Sequence, residues 1–287
     1  MADAVFVADL HGRRVKYEKL FALVSRELPA GVFLGGDLFP HEFASLEGAE
    51  GKHSDFLVDV LIAGLRRIRE KLSADYPRFF VILGNDDLKV EESVMRKAEE
   101  EGLWEYMHMK RTDWEGRTVY GYANVPPTPF RLKDWERYDV SRFVDPGCMA
   151  PEEGWHSTTV DKREIQMGTI QKDLEALAGE EELGKSVFLF HSPPYQTLLD
   201  RADLDGRMVD HVPVDVHVGS IAIRRFIEKR QPLLTLHGHV HESARITGSW
   251  RDKIGVTHMF SAAHDGSQLA LVRFDLDFPG SATRELI

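Results

Sequence analysis

The chain alternates short, uninterrupted apolar runs with longer stretches in which apolar residues recur at helical spacing. In order, these predict a strand at 4–8, a helix at 15–28, a strand at 31–34, a helix at 56–72 and a strand at 78–83. Continuous apolar strands separated by amphipathic helices are typical of a parallel sheet that is covered on its faces. The opening is therefore a β-α-β-α-β unit, and the chain is predicted to be an α/β protein.

The remaining pattern continues this alternation and then changes toward strands with short turns between them. Further helices are predicted at 91–101, 165–178 and 220–229, the last with Ser220 as its N-cap. Further strands are predicted at 118–123, 186–190, 233–236, 244–247, 255–261 and 269–275. The closing strands suggest a second, more antiparallel sheet. We therefore expect a single domain over 1–287, folded as a four-layer α/β/β/α sandwich with two mixed sheets between helices.

Three stretches, 38–53, 125–159 and 192–219, carry no regular pattern. Long loops in a compact domain are usually functional or disordered, and two of these directly follow residues of metal-ligand type, so we assign them to the walls of a substrate pocket. The 125–159 stretch holds several prolines with Trp135 and Trp155. It is either a cap over the site or a segment that packs over a sheet edge, and the pattern favours neither.

Polar residues of metal-ligand type stand where the predicted strands end. They are Asp9, His11, Asp37, Asn85, His191, His239 and His241. The carboxyl ends of parallel strands meet at one sheet edge, so these side chains are expected to converge. Carboxylate and amide oxygens mixed with imidazoles suit Mn²⁺, Fe²⁺, Zn²⁺ or Co²⁺ better than Mg²⁺ or Ca²⁺. Seven ligands exceed one tetrahedral site but fit two ions if the Asp37 carboxylate bridges them.

Taken singly, an Asp or His at a strand end is usually a hydrogen-bonded turn or core residue. Seven together are harder to explain without a metal, because burying them would leave several carboxylates and imidazoles uncompensated.

Composition argues against a duplex nucleic-acid-binding protein, a disulfide-stabilised protein and a membrane protein. The net charge of −11 opposes tight binding to duplex nucleic acid, whereas two bound cations would still attract a small phosphorylated molecule. Cys148 is the single cysteine, so no internal disulfide can form. The first residues lack a basic signal-peptide start, and their apolar run is too short for a membrane span. We expect a cytoplasmic protein without a membrane partner, and its oligomeric state is left open.

The order of the ligand blocks resembles the calcineurin-like metallophosphoesterase family. The matching blocks are Asp9-Leu-His11, Gly35-Gly36-Asp37, Gly84-Asn85-Asp86-Asp87, His191 and Gly238-His239-Val240-His241. The resemblance implies the same sandwich fold and two divalent ions, with Mn²⁺ favoured over Fe, Zn, Co or Ni. It also implies two ligand sets that share Asp37. One set is Asp9, His11, Asp37 and His241, and the other is Asp37, Asn85, His191 and His239.

One position departs from the family pattern. Asp86 stands where the family has a histidine that protonates the leaving group, and an aspartate between two cations should be ionised near neutral pH. The resemblance links a non-histidine residue here with phosphodiester substrates. His217, just before a helix start where an anion could bind, is a candidate replacement acid, with His264 a weaker one. Asp87 is expected to orient a ligand histidine, and His237 to be structural.

These observations predict a dinuclear phosphoesterase that hydrolyses a nucleotide or another small phosphate ester, with a diester favoured over a monoester. Two ions held roughly 3.5 to 4 Å apart would generate a bridging hydroxide that attacks phosphorus. Asp86 and His217 are the predicted catalytic residues. The alternative is a non-catalytic member of the fold that serves as an interaction module, and Asp86 is the feature that supports it.

Overall fold

The first of two sheets combines strands from both ends of the chain. The computed structural model describes residues 3–40 and 56–287, so the predicted irregular stretch 38–53 lies outside the described residues from position 41 onward. The members of this sheet are β1 (Asp3–Val7), β2 (Gly31–Gly35), β3 (Arg78–Ile82), β4 (Glu105–Tyr106), β13 (Ala270–Asp275) and β14 (Thr283–Leu286). Their order is β14-β13-β1-β2-β3-β4, in which β1 to β4 are parallel and β13 and β14 pair antiparallel.

The second sheet has the same design of a parallel centre with antiparallel edges. It contains β5 (Lys110–Trp114), β6 (Arg117–Tyr122), β7 (Ser186–Phe190), β10 (Leu234–His237), β11 (Arg251–Ile254) and β12 (Thr257–Ser261). The order is β11-β12-β10-β7-β6-β5, and the strands from β12 to β6 run parallel. A separate small hairpin joins β8 (Met208–Val209) to β9 (Val212–Pro213).

Helices cover the outer face of each sheet. The helices in the described ranges are α1 (Arg14–Glu27), α2 (Ala63–Leu72), α3 (Glu92–Glu100), α4 (Lys162–Met167), α5 (Ile170–Ala178), α6 (Ile221–Arg230) and α7 (Ser243–Thr247), with a π-helical turn at Leu57–Ile62 and 3₁₀ turns at Ser73–Asp75, Lys89–Glu91 and Pro279–Ser281. The buried faces of α1 to α3 pack in the first sheet's core, and those of α5 and α6 pack on the second sheet. No helix in the described ranges is long and apolar enough to cross a membrane.

Alternation along β7 shows how the layers are built. Val187 and Leu189 face the first sheet, whereas Phe188 and Phe190 face α6, because successive side chains of a strand point to opposite faces. The two sheets meet with β2 against β7 and β3 against β6. The predicted α/β/β/α sandwich with two mixed sheets is confirmed.

Two local predictions are wrong. Residues 244–247 form the short helix α7 and not a strand, and Gly248, at a φ of 74°, ends it. The closing strands do not make a separate antiparallel sheet: β12 extends the parallel centre of the second sheet, and β13 and β14 return to the first. β-branched residues at 246–247 favoured a strand locally, but tertiary contacts decide such a short segment.

The segment 125–159 is irregular, as predicted, yet its polar groups are hydrogen-bonded. Lys133 and Glu136 form a fully buried ion pair 2.5 Å long, and Lys133 also donates to the Thr128 carbonyl oxygen. Asp139 accepts hydrogen bonds from the Ser220 hydroxyl and from the backbone N–H groups of Ile221 and Ala222, at the start of α6. This segment is thereby joined to the second helical layer.

Candidate metal centre

The predicted ligands all follow parallel strands at one edge of the sandwich. Asp9 and His11 follow β1, Asp37 follows β2, and Asn85 follows β3 in the first sheet. From the second sheet, His191 directly follows β7, and His239 and His241 follow β10. Because the sheets face each other with their ligand-bearing strands aligned, side chains from both meet at this edge.

The first ligand set converges as expected. Asp9, His11, Asp37 and His241 each place one ligand atom within 4.8 Å of the others. The Nε2 atoms of His11 and His241 are 3.0 Å apart, and Nε2 of His241 is 3.2 Å from Oδ1 of Asp9. Oδ2 of Asp9 is buried without a hydrogen-bond partner in the described part of the chain. Facing ring nitrogens beside an unsatisfied buried carboxylate oxygen suit a divalent cation.

The second set centres on His191. Its Nδ1 lies 2.7 Å from the Gly35 carbonyl oxygen and therefore carries a proton, which directs Nε2 toward the oxygens of Asn85 and Asp37 at 3.1 and 3.4 Å. Burial disfavours the charged ring, but the Asp37 carboxylate outweighs it and raises the pKa of His191 to about 10. A metal ion held by Nε2 would take the place of that second proton, because a ligating imidazole must be deprotonated at the nitrogen that binds.

His239 lies beside His191 and outside the cluster formed by the first ligand set. Its ring centroid is 5.3 Å from that of His191, and its backbone N–H donates to Oδ1 of Asp9. Burial and the neighbouring charge of His191 lower the pKa of His239 to about 3, which keeps the ring neutral. The neutral imidazole is the form that binds metals.

Several ligands occupy strained backbone conformations. Asp9, His11, Asp37 and His239 have φ values of 57°, 45°, 52° and 74°, in the left-handed region that residues other than glycine rarely adopt. Such strain persists where surrounding contacts enforce it, and it is concentrated at functional sites. Here the N–H of Asp9 donates to the Gly36 carbonyl oxygen and that of His11 to the Asp37 carbonyl oxygen, which joins the loops after β1 and β2.

Asp87 does not orient a ligand histidine, so that prediction is wrong. Its buried carboxylate accepts hydrogen bonds from the backbone N–H groups of Leu38, Phe39 and Gly84 at 2.8 to 3.1 Å. Burial, followed by the charge of Asp37, raises the pKa of Asp87 to about 7. It connects the loop that carries Asp37 to the loop that carries Asn85.

Asp86 lies among the ligands. Its N–H donates to Oδ1 of Asp37 at 2.9 Å, one carboxylate oxygen accepts from the Asn85 amide, and the other is 3.6 Å from Nδ1 of His11. Burial and the charges of Asp37 and Asp87 raise the pKa of Asp86 to about 8, and divalent ions on the neighbouring ligands would act in the opposite direction.

The second candidate acid, His217, lies in the wall segment 192–219. Its Nδ1 is 2.8 Å from Oδ1 of the fully buried Asp200, which also accepts from backbone N–H groups of Gln196, Thr197 and Gly219. Its ring also packs near Tyr195. The expectation that an anion could bind at the following helix start is wrong, because Asp139 already occupies the N-terminus of α6.

Hydrogen bonds from backbone N–H groups join the segment 192–219 to the residues that follow the candidate ligand His241. The N–H of Arg201 donates to the Ser243 hydroxyl, and that of Asp203 to the Glu242 carboxylate. Ser243 and Glu242 directly follow His241 in the chain.

Three further polar residues, Lys16, His264 and His237, lie near the candidate metal centre. Nothing in the sequence pattern marks Lys16, whose buried ammonium donates to the Asp9 carbonyl oxygen at 3.0 Å. His264, the weaker candidate acid, lies after β12 with Nδ1 3.6 Å from the Asp265 carboxylate. His237 is buried with both ring nitrogens bonded, to the Ser192 carbonyl oxygen and the Thr235 hydroxyl, as a structural residue would be.

The comparison with known families agrees with this geometry. Residues 4–243 match the calcineurin-like phosphoesterase family, so the match includes every ligand block. The chain belongs to this family. Its members are metal-dependent and act on small phosphoester substrates. In this chain Asp9, His11, Asp37 and His241 form a candidate metal-binding cluster.

Individual relatives are more distant. An uncharacterized protein of Methanocaldococcus jannaschii is 42% identical over 76 residues, which cover 25% of this chain and 29% of that protein. The protein TT1561 of Thermus thermophilus has a TM-score of 0.57 at 16% identity, over 99% of this chain and 98% of that one. A dimetal phosphatase from Danio rerio has a TM-score of 0.50 at 11% identity, over 94% and 91%. At these identities the structural likenesses show the shared fold.

Proposed function

We propose that this protein is a dinuclear metallophosphoesterase that hydrolyses phosphodiesters of small molecules such as nucleotides. The observation that supports the proposal is the cluster of Asp9, His11, Asp37 and His241, with His191 on the other side of the Asp37 carboxylate and bonded to Asn85. Oδ2 of Asp37 is 4.0 Å from Nε2 of His11 and 3.4 Å from Nε2 of His191. A carboxylate in that position can share its oxygens between two ions.

The chain's own residues fit such a pair, and the mixed donor set suits Mn²⁺, which the family resemblance favours. Two divalent ions would supply Lewis-acid charge and activate water at neutral pH. The contact of His191 with Gly35 fixes its tautomer, and the neutral state of His239 leaves its nitrogen free to bind. Asp87 fixes the backbone on which Asp37 and Asn85 stand.

His217 is the residue we propose to protonate the leaving group. Its Nδ1 is held by the buried Asp200, so Nε2 is the nitrogen that exchanges a proton, as in other carboxylate–histidine pairs. Asp86 would hold the substrate-side water or hydroxyl through the carboxylate oxygens that lie beside Asn85 and His11.

Hydrolysis of defined esters tests the activity. The manganese-loaded protein is assayed with bis(p-nitrophenyl) phosphate, p-nitrophenyl phosphate and a nucleotide panel, with Asp37→Ala as the matched inactive variant. We expect the diester to be cleaved faster than the monoester and Asp37→Ala to lose at least a thousandfold in kcat/KM. If no ester is cleaved faster than by Asp37→Ala, the non-catalytic interaction module is the better account.

Leaving-group dependence tests His217. A general acid matters most when the leaving group is a poor one, so His217→Gln should slow an alkyl ester about a hundredfold or more and a p-nitrophenyl ester much less. Asp200→Asn should show the same dependence in weaker form. Equal losses on both esters would contradict the acid role.

The family residue at position 86 offers a further comparison. Asp86→His should increase monoester hydrolysis relative to diester hydrolysis, and Asp86→Asn should not. An unchanged ratio in Asp86→His would contradict the role given to this position.

A further inference from the structure

A polar cavity lies beside the metal centre on the same edge of the sandwich. It has a volume of about 150 Å³, room for about five water molecules, and its wall includes Lys89, His108, Asn124 and Arg137. Lys89 follows the Asn85 loop, and Asn124 follows β6, the neighbour of β7. The cavity therefore lies one strand beyond the ligands Asn85 and His191.

The acceptors in its wall already have donors. Asp134 accepts from the N–H groups of Lys89 and Ser157 and from the Ser157 hydroxyl. Glu136 accepts from Lys133 and Thr128, and Asp173 accepts from the Tyr122 hydroxyl and forms an ion pair with Arg137. Each of the three carboxylates in the wall therefore already has hydrogen-bond or ion-pair partners within the protein.

By contrast, two cationic donors in the wall, Lys89 and Arg137, still have N–H groups that could bind a ligand. The Lys89 ammonium lies 5.1 Å from the centre of the Trp135 ring and has no carboxylate partner within the described ranges. Arg137 contacts Asp173 through Nε, which leaves its terminal nitrogens for another acceptor.

His108 supplies a third donor. The Ala123 N–H donates to Nδ1 of His108, so the ring proton is on Nε2. Burial, together with the charges of Lys89 and Arg137, lowers the pKa of His108 to about 3, and the ring is a neutral donor at pH 7.

The wall contains as many lysine and arginine side chains as carboxylates, so net charge does not select a ligand. The available hydrogen-bond donors do. These donors are half-buried, and a group with several acceptor oxygens can accept hydrogen bonds from all of them together. A phosphoryl group offers three such oxygens to Lys89, Arg137 and His108. A carboxylate offers two, and a neutral hydroxyl offers one.

We propose that this cavity binds a second phosphoryl group of the substrate, so that the substrate is a phosphate ester with another phosphate elsewhere in the molecule. This inference rests on the proposed function for the chemistry at the neighbouring ions. Binding at the cavity itself depends on Lys89, Arg137 and His108 and on none of the seven metal ligands.

Counting bound inorganic phosphate separates the two sites. Equilibrium dialysis of the manganese-loaded full chain with radiolabelled phosphate should give two phosphates per chain. Lys89→Met keeps a side chain of similar length but removes the charge beside Trp135, so it should weaken one of the two sites at least tenfold. Lys89→Arg should retain both sites, and Lys97→Met, a change at an exposed lysine of α3, should also retain both.

The outcomes distinguish the cavity from the metal centre. Asp37→Ala should lose one phosphate, and the phosphate that remains should be sensitive to Lys89→Met. The cavity site would be overturned if the wild type binds a single phosphate that is lost in Asp37→Ala and unchanged in Lys89→Met. Phosphate binding at the metal centre would then still be supported. A site that is lost in Lys89→Met but unaffected by Asp37→Ala would support the cavity and count against phosphate binding by the ions.

Discussion

Replacing Asp87 with alanine tests how the loops that carry the candidate ligands Asp37 and Asn85 are held together. The substitution removes the acceptor of three backbone N–H groups, from Leu38, Phe39 and Gly84, in a place where the carboxylate itself is fully buried. An unsatisfied buried donor costs about 1–3 kcal/mol. Water entering the vacated space would satisfy some of them, and the loss of a carboxyl group whose pKa burial raises to about 7 returns part of the free energy at pH 7. We therefore expect the free energy of unfolding to fall by about 2–4 kcal/mol.

Urea unfolding at pH 7, followed by circular dichroism, measures this loss. Asp87→Asn keeps one acceptor oxygen and should lose about half as much. Asp75→Ala, at an exposed aspartate in the turn before β3, is the matched control and should stay within about 0.5 kcal/mol of the wild type. A loss below about 1 kcal/mol for Asp87→Ala would refute the reasoning, because the three N–H groups would then have other partners.

Three further changes test other parts of the structure. In Gly84→Ala the new Cβ would lie 2.3 Å from Oδ1 of Asp37, so manganese affinity measured by calorimetry should fall at least tenfold, and unchanged affinity would contradict this close approach. Asp139→Ala removes the acceptor at the start of α6 and should cost about 1–2 kcal/mol in urea unfolding and speed proteolysis within 125–159, whereas wild-type values for both would count against that anchor. Burial lowers the pKa of His237 to about 4, below its unfolded value of about 6.5, so the unfolded state binds more protons between these pH values. Stability should therefore decrease by about 3 kcal/mol as pH falls through this window, and His237→Gln should flatten that part of the urea midpoint profile; an equally steep profile would argue against it.

The places of the candidate ligands in the fold could be predicted because these residues directly follow strand ends. Asp9, Asp37 and His191 each stand one or two residues after a buried strand, and parallel strands bring their carboxyl ends together. The strand boundaries were predictable to within a residue or two for the same reason, since β1, β2, β3 and β7 are uninterrupted apolar runs.

Contacts between loops were not predictable from the pattern. Asp200 pairs with His217 across a segment without periodicity, and Asp139 reaches α6 from a position about eighty residues earlier in the chain. Asp87 was assigned to a histidine because the sequence does not show that three backbone N–H groups converge on it. Such partners depend on tertiary packing, and local residue types do not determine them.

The most direct test of the central claim is the number of metal ions that each chain binds. After reconstitution with manganese and removal of excess metal, elemental analysis should find two ions per wild-type chain. Asp37→Ala should lose both ions or retain one weakly, because both ligand sets use that carboxylate. One ion or none in the wild type, or two in Asp37→Ala, would contradict a centre in which Asp37 joins the two sets.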